Sequence, residues 1–193
     1  MGSPRRPNRQ PAEKTPTAPK RNFEFMDHLW SPWRYQYVQK KKTGGGCVFC
    51  NAAAGGPDAK SDEENLVVHR ARKNYIILNL YPYSTGHLMV VPYEHVDTLQ
   101  QASAETLEEM MLLVQRSQRH LQEIYRPPGF NLGMNLGESA GAGIAEHIHM
   151  HVLPRWSGDT NFMTTVAETR VLPEDLAITW RKLHDAFSTS GQG

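Results

Sequence analysis

Three histidines at alternate positions, His147, His149 and His151, limit what this chain can be more than any other feature does. Ile148, Met150 and Val152 interleave with them, so the run Glu146–Trp156 has the period of a half-buried strand. On a strand, residues two apart share a face and lie about 6–7 Å apart along it. One face is therefore apolar and packed, and the other presents a row of imidazoles. A solvated face explains one such histidine but not three, because water does not favour imidazole over Lys, Thr or Glu. A row of imidazoles can bind metal through neutral nitrogens, or act as nucleophile and acid–base near neutral pH.

Length and composition set the frame. The chain has 193 residues, 39% hydrophobic and 21% charged, which fits one globular domain with disordered flanks. A formal net charge of +1 leaves no large basic field, which argues against a nucleic-acid partner. No apolar run approaches the roughly 18 residues needed to cross a bilayer, and the N-terminus lacks a signal-peptide core. The expectation is a cytoplasmic protein with no membrane partner. Two cysteines in one short motif suit that compartment better than a disulfide framework would.

Residues 1–22 are rich in Pro, Arg and Lys and lack large apolar side chains after Met1, so they read as a disordered tail. The ordered domain is expected over residues 23–187, with 188–193 a flexible C-terminus. Aromatics within His28–Tyr35 read as a packing anchor. Strands are expected at Leu66–Arg72, Asn74–Leu80, His87–Pro92 and Phe130–Leu136, then at the histidine run and at a short piece ending at Val166. One long helix is expected over Ser103–Tyr125. Leu107, Met110, Met111, Val114, Leu121 and Ile124 form its apolar face, Ser103 its cap and Pro127-Pro128-Gly129 its stop, with His120 exposed. A closing helix is expected over Pro173–Phe187. The order β-β-β-α-β-β-α predicts an α+β domain: an antiparallel sheet with a long helix and a C-terminal helix against it.

Cys47-Val48-Phe49-Cys50 is ambiguous alone: a redox pair, half a zinc site, or two thiols of no account. The redox reading wants a helix starting at the motif, and Gly55-Gly56-Pro57 allows at most about a turn. Gly137-Glu138-Ser139-Ala140-Gly141-Ala142-Gly143, between a strand and the histidine row, reads as a phosphate cradle whose backbone N–H groups can approach an anion. Arg155 can pair with phosphate, and Trp156 can stack on a ligand or fill the core.

His147 to Leu153 resembles, position for position, the His-φ-His-φ-His-φ-φ signature of the histidine triad family, φ being apolar. The resemblance runs roughly from Trp30 to Trp180. Through Leu-Trp-Ser-Pro-Trp-Arg, Asn-Leu-Gly and Pro-Arg-Trp it is nearest to bacterial diadenosine tetraphosphate phosphorylases. It implies that His149 attacks a nucleotide α-phosphate to form a nucleotidyl-histidine, that His151 contacts phosphate oxygens or helps the leaving group, and that His87 supports the row. It implies ribose and phosphate contacts from Asn79, Asn135 and the loop Gly141, Ala142 and Gly143. It also implies a structural Zn²⁺ on Cys47, Cys50, His95 and His147, and a homodimer. The family usually places Gln where Gly143 stands. The expected reaction is nucleotidyl transfer from a dinucleoside polyphosphate to inorganic phosphate. The alternatives are hydrolysis of dinucleoside polyphosphates or nucleoside phosphoramidates releasing AMP, or a non-catalytic zinc-stabilised nucleotide-binding module.

Overall fold

The structure, a computed structural model, describes residues 46–55, 59–159 and 174–189. The expected tail, the aromatic anchor near Trp30 and the strand ending at Val166 lie outside these residues. Elements follow in the order α1 (Val48–Ala54), α2 (Ala59–Glu64), β1 (Val67–Arg70), β2 (Asn74–Leu78) and β3 (Leu88–Pro92). After them come α3 (Ala104–Tyr125), β4 (Gly129–Gly133), a 3₁₀ turn (Glu138–Ala140), β5 (Met150–Arg155) and α4 (Leu176–Thr189). The five strands form one antiparallel sheet in the order β1-β2-β3-β5-β4. The expected order of major elements holds, and the α+β class with it.

Strand alternation sorts the core into two layers, one on each face of the sheet. Val68, Ile76, Leu78, Val90 and Val152 point to the face covered by α3 and α4, where Met110, Leu113, Leu121, Trp180 and Phe187 meet them. Val67, Tyr75, Ile77, Met89 and Val91 point the other way and pack with Phe49 and Ala52 of α1. Trp180 donates its indole N–H to the Val67 carbonyl (2.8 Å), fastening α4 to the sheet edge.

α3 begins as expected: Ser103 is extended (ψ 151°) and its hydroxyl accepts from the Thr106 N–H at 3.2 Å. It stops at Arg126, which is left-handed (φ 49°), just before Pro127. The buried face of α3 is not the one expected. Thr106, Met110, Leu113, Val114, Ser117, His120 and Leu121 carry it, whereas Met111 is 54% exposed and Leu107 half-buried. Met111 lies a hundred degrees around the helix from Met110, so only one of the pair can face the sheet. His120 is buried, not exposed, because Phe187 of α4 stands edge-on to it, ring centroids 4.5 Å apart.

Several boundaries also differ, the first four strands by one to three residues at their ends, so that β2 stops at Leu78 and β4 at Gly133. α1 runs seven residues from the cysteine motif, longer than the single turn expected, since Ala52–Ala54 sustain it. β5 begins at Met150, so His147 and His149 precede the strand: the Ile148 N–H donates to the Val96 carbonyl (2.8 Å), a loop partner, not a strand. α4 starts after Asp175, whose carboxylate accepts from the Ala177 N–H (2.8 Å), and continues to Thr189, so Ser188 and Thr189 are helical.

One polar clamp joins the layers. Glu109 of α3 accepts from the backbone N–H groups of Arg72, Lys73 and Asn74 (3.2, 2.7 and 2.8 Å) and from the Asn74 side chain (2.9 Å). Burial pushes the Glu109 carboxyl up, but these donors outweigh it and hold it below its ordinary value. Stability from this group is therefore present above the unfolded carboxylate range and is lost as pH falls through the lowered folded value. Glu109→Ala should strand those donors and destabilise the domain by about 1–3 kcal/mol in urea unfolding at pH 7. The gap between wild type and variant should shrink at pH 3.

Candidate active site and metal cluster

The histidines divide into two groups. His147 is buried, and its Nε2 lies 3.0 Å from the Pro92 carbonyl. A carbonyl only accepts, so Nε2 carries the proton and Nδ1 the lone pair. That Nδ1 faces Cys47 Sγ at 3.3 Å and Cys50 Sγ at 3.7 Å, while His95 Nδ1 is 3.3 Å from Cys50 Sγ. All four donor atoms lie within 4.8 Å of one another.

Zinc bonds of about 2.3 Å to sulfur and 2.0 Å to nitrogen put neighbouring donors of a tetrahedral site roughly 3.3–3.8 Å apart. The three measured separations fall in that range. Burial keeps the His147 imidazole below its ordinary pKa and so neutral, the state a metal ligand needs. Burial, then the neighbouring Cys47, pushes the Cys50 thiol up, so a cation is what would draw off its proton. The set suits a closed structural Zn²⁺ site.

His149 is buried, and its Nδ1 lies 2.8 Å from the His147 carbonyl. By the same argument Nδ1 carries the proton and Nε2 the lone pair. The other two rings form a relay. The Tyr83 N–H donates to His87 Nδ1 (3.2 Å), and the Asn79 amide nitrogen stands 3.4 Å from the same atom. His87 therefore carries its proton on Nε2, 2.9 Å from His151 Nδ1. If His151 is neutral, accepting there leaves its proton on Nε2. The row thus pairs a nucleophilic nitrogen on His149 with a donor on His151, ring centroids 4.9 Å apart. Gly86 makes this geometry accessible. It is left-handed (φ +78°), and a Cβ there would stand 2.7 Å from the buried Leu121 Cδ2, so any side chain would strain the turn that leads into His87.

A cavity of about 470 Å³ opens beside these rings. His149, His151, Asn79, Asn135, Gly141 and Gly143 line one part; Phe49, Leu66, Ile77, Met89 and Ile144 give it an apolar floor and wall. Gly137 and Gly141, both at positive φ (79° and 83°), bracket the 3₁₀ turn, and the Asn135 amide steadies the loop through the Gly141 carbonyl (3.3 Å). Asn79 also caps a turn, its Oδ1 accepting from the Tyr81 N–H at 2.9 Å.

Three residues expected at the phosphate do not line the cavity. The Ala142 N–H is spent on the Gly137 carbonyl (3.3 Å). Arg155 is drawn away by Asp159, 2.7 Å from its Nη2, and by Asn131. The Trp156 backbone N–H donates to Asp159 as well (3.4 Å). Conversely, the sequence did not single out Phe49, whose ring touches both His147 and His149 (5.5 and 4.9 Å), or Tyr83, stacked on His87 at 5.1 Å. Phe49 had one available signal: its place inside the cysteine motif.

Comparison with known proteins agrees with this geometry. The HIT domain family matches residues 60–158. AP-4-A phosphorylase of Mycobacterium tuberculosis is 42% identical over 162 residues, covering 82% of this chain and 83% of that protein. The bis(5'-nucleosyl)-tetraphosphatase [asymmetrical] of Schizosaccharomyces pombe is 27% identical over 93 residues, 48% of this chain and 50% of that protein. The solved structure of a Zn-bound histidine triad family protein from Mycobacterium smegmatis superposes with a TM-score of 0.58 at 28% identity, covering 75% of this chain and 95% of that one. With the histidine row, its cavity and these relatives in agreement, the chain belongs to the histidine triad (HIT) domain family.

Proposed function

We propose that this protein is an enzyme that splits dinucleoside polyphosphates by phosphorolysis through a nucleotidyl-histidine on His149. The observation that carries the reading is the opposite tautomers of His149 and His151 at one cavity wall. His149 Nε2 attacks the α-phosphorus of diadenosine tetraphosphate, forming the N–P bond as the bond to the bridging oxygen breaks, and ATP leaves with help from the His151 proton. Inorganic phosphate then attacks the same phosphorus and releases ADP, restoring His149. Gly141 and Gly143, which carry no Cβ, let the phosphoryl oxygens come close to the loop backbone. Similarity to the Mycobacterium tuberculosis phosphorylase over most of both chains supports this reaction. His149→Ala should lower kcat at least a thousandfold while AMP affinity stays within a few-fold by calorimetry; retained turnover would remove His149 from this role.

Cys47, Cys50, His95 and His147 would hold the zinc, which supplies rigidity and not Lewis-acid chemistry, since four protein ligands leave no open position. Elemental analysis should find about one zinc per chain. Cys50→Ser should lower Tm markedly and kcat at saturating substrate little. A metal-free protein of unchanged Tm contradicts the site.

The exposed edge of β4 and the exposed Leu132 and Leu136 support a homodimer, and the free thiols suit a cytoplasmic setting. The choice of acceptor rests on Gly143. With no side chain there, space beside the nucleotidyl-histidine stays open to phosphate. ADP should form alongside ATP and rise with phosphate concentration, and Gly143→Gln should lose that dependence. If AMP is the only partner of ATP at millimolar phosphate, the protein is a hydrolase instead.

A further inference from the structure

α1 forms a wall of the cavity, yet little in its own sequence holds it there. It is seven residues long, and its last carbonyls have no partners within the helix. Phe49 and Ala52 line the cavity from it, and the Phe49 ring lies against His149, centroids 4.9 Å apart. At its start, the Cys47 and Cys50 sulfurs face His147 and His95. Its other end is anchored by different chemistry.

That anchor is Arg70, the last residue of β1. Its Nη1 donates to the Ala53 carbonyl (2.8 Å) and its Nη2 to the Ala52 carbonyl (3.2 Å). Nε and Nη2 also donate to Asp62 of α2, at 3.0 and 2.7 Å, so the guanidinium ties two helices to one strand. The Arg70 and Asp62 side chains are only 16% and 9% exposed. Beside Asp62, the Ser61 hydroxyl donates to the Gly55 carbonyl just past α1. A sealed ion pair adds little net stability, because desolvation offsets most of its attraction. What it supplies is geometry. Asp62 fixes the plane of the guanidinium, and that plane aims two N–H groups at the end of α1.

We propose that Arg70 is a positioning residue for nucleotide binding: it grips α1 by the Ala52 and Ala53 carbonyls and so keeps Phe49 in place as the cavity wall. The proposal rests on the proposed function only in taking the occupant of the cavity to be a nucleotide. Arg70 does not itself line the cavity, so it acts entirely through the helix. A wall that is in place for a fraction of the time lowers affinity by that fraction.

Calorimetry with AMP on the full chain, well below its melting temperature, tests this without requiring turnover. Arg70→Lys keeps a cation for Asp62, but one ammonium cannot also span both carbonyls, so AMP should bind about fivefold more weakly with zinc content unchanged. KM for diadenosine tetraphosphate should rise in parallel, while kcat falls less than about twofold. Asp62→Asn leaves Arg70 in place but loosens its plane, and should weaken AMP by about threefold. Added to Phe49→Ala, Arg70→Lys should cost less than about twofold more, because the side chain it positions is already gone. A role in stability alone would lower Tm in Arg70→Lys and leave AMP affinity at the wild-type value, which overturns the proposal. Full additivity with Phe49→Ala, loss of zinc from Arg70→Lys, or a wild-type protein that binds no AMP overturns it as well. Weaker AMP binding by Arg70→Lys, in a protein that never turns over diadenosine tetraphosphate, sinks the phosphorolysis reading and leaves the role of Arg70 standing.

Discussion

The site hangs on His147, which makes three separate connections from one buried residue. Its Nε2 caps the carbonyl of Pro92 at the end of β3, its Nδ1 faces the two sulfurs, and its own carbonyl takes the proton of His149. Pairing between β3 and β5 stops at Val90 and Met150, so the Pro92 carbonyl would otherwise lie buried without a strand partner. The imidazole fills that vacancy and, in doing so, fixes its own tautomer. The same residue thereby sets which nitrogen meets the sulfurs and which nitrogen of His149 is left to react.

Much of this is legible in the sequence. The long helix announced itself through Ser103 and Pro127, and the row of imidazoles through its alternation with Ile148, Met150 and Val152. Periodicity reports which side chains share a face, not what meets them. Hence His120, polar on paper, is buried under Phe187, and Met111, apolar on paper, is exposed. Alternation also continues through an extended lead-in as readily as through a paired strand, which is why β5 begins later than its pattern suggests. Arg155, which the sequence offers as a phosphate partner, pairs in the structure with Asp159, four residues on, a contact that no motif spacing announces.

The two faces of the sheet have different tasks. The face under α3 and α4 is apolar and continuous, and the Glu109 clamp pins its edge. Among the described residues the opposite face is only partly covered, since α1 is short, and the uncovered part is the cavity. A second long helix there would leave nowhere for a ligand to lie. Function in this fold thus depends on incomplete packing on one side, which complete packing on the other makes tolerable.

α1 is where that arrangement is most exposed to fluctuation. Seven residues are too few to hold a helix in water, and Cys47 caps its start without a side-chain hydrogen bond. What keeps it in place is tertiary: the Tyr75 hydroxyl on the Phe49 carbonyl (2.7 Å), the Arg70 guanidinium on the Ala53 and Ala52 carbonyls (2.8 and 3.2 Å), and the Phe49 ring wedged against two imidazoles. The floor of the cavity is a five-stranded sheet, but one wall is a segment with almost no intrinsic persistence. Amide exchange across the cavity should therefore be sharply uneven, slow through Ile77 and Met89 and fast through Asn51 to Ala54, so that the wall opens many times for each opening of the floor.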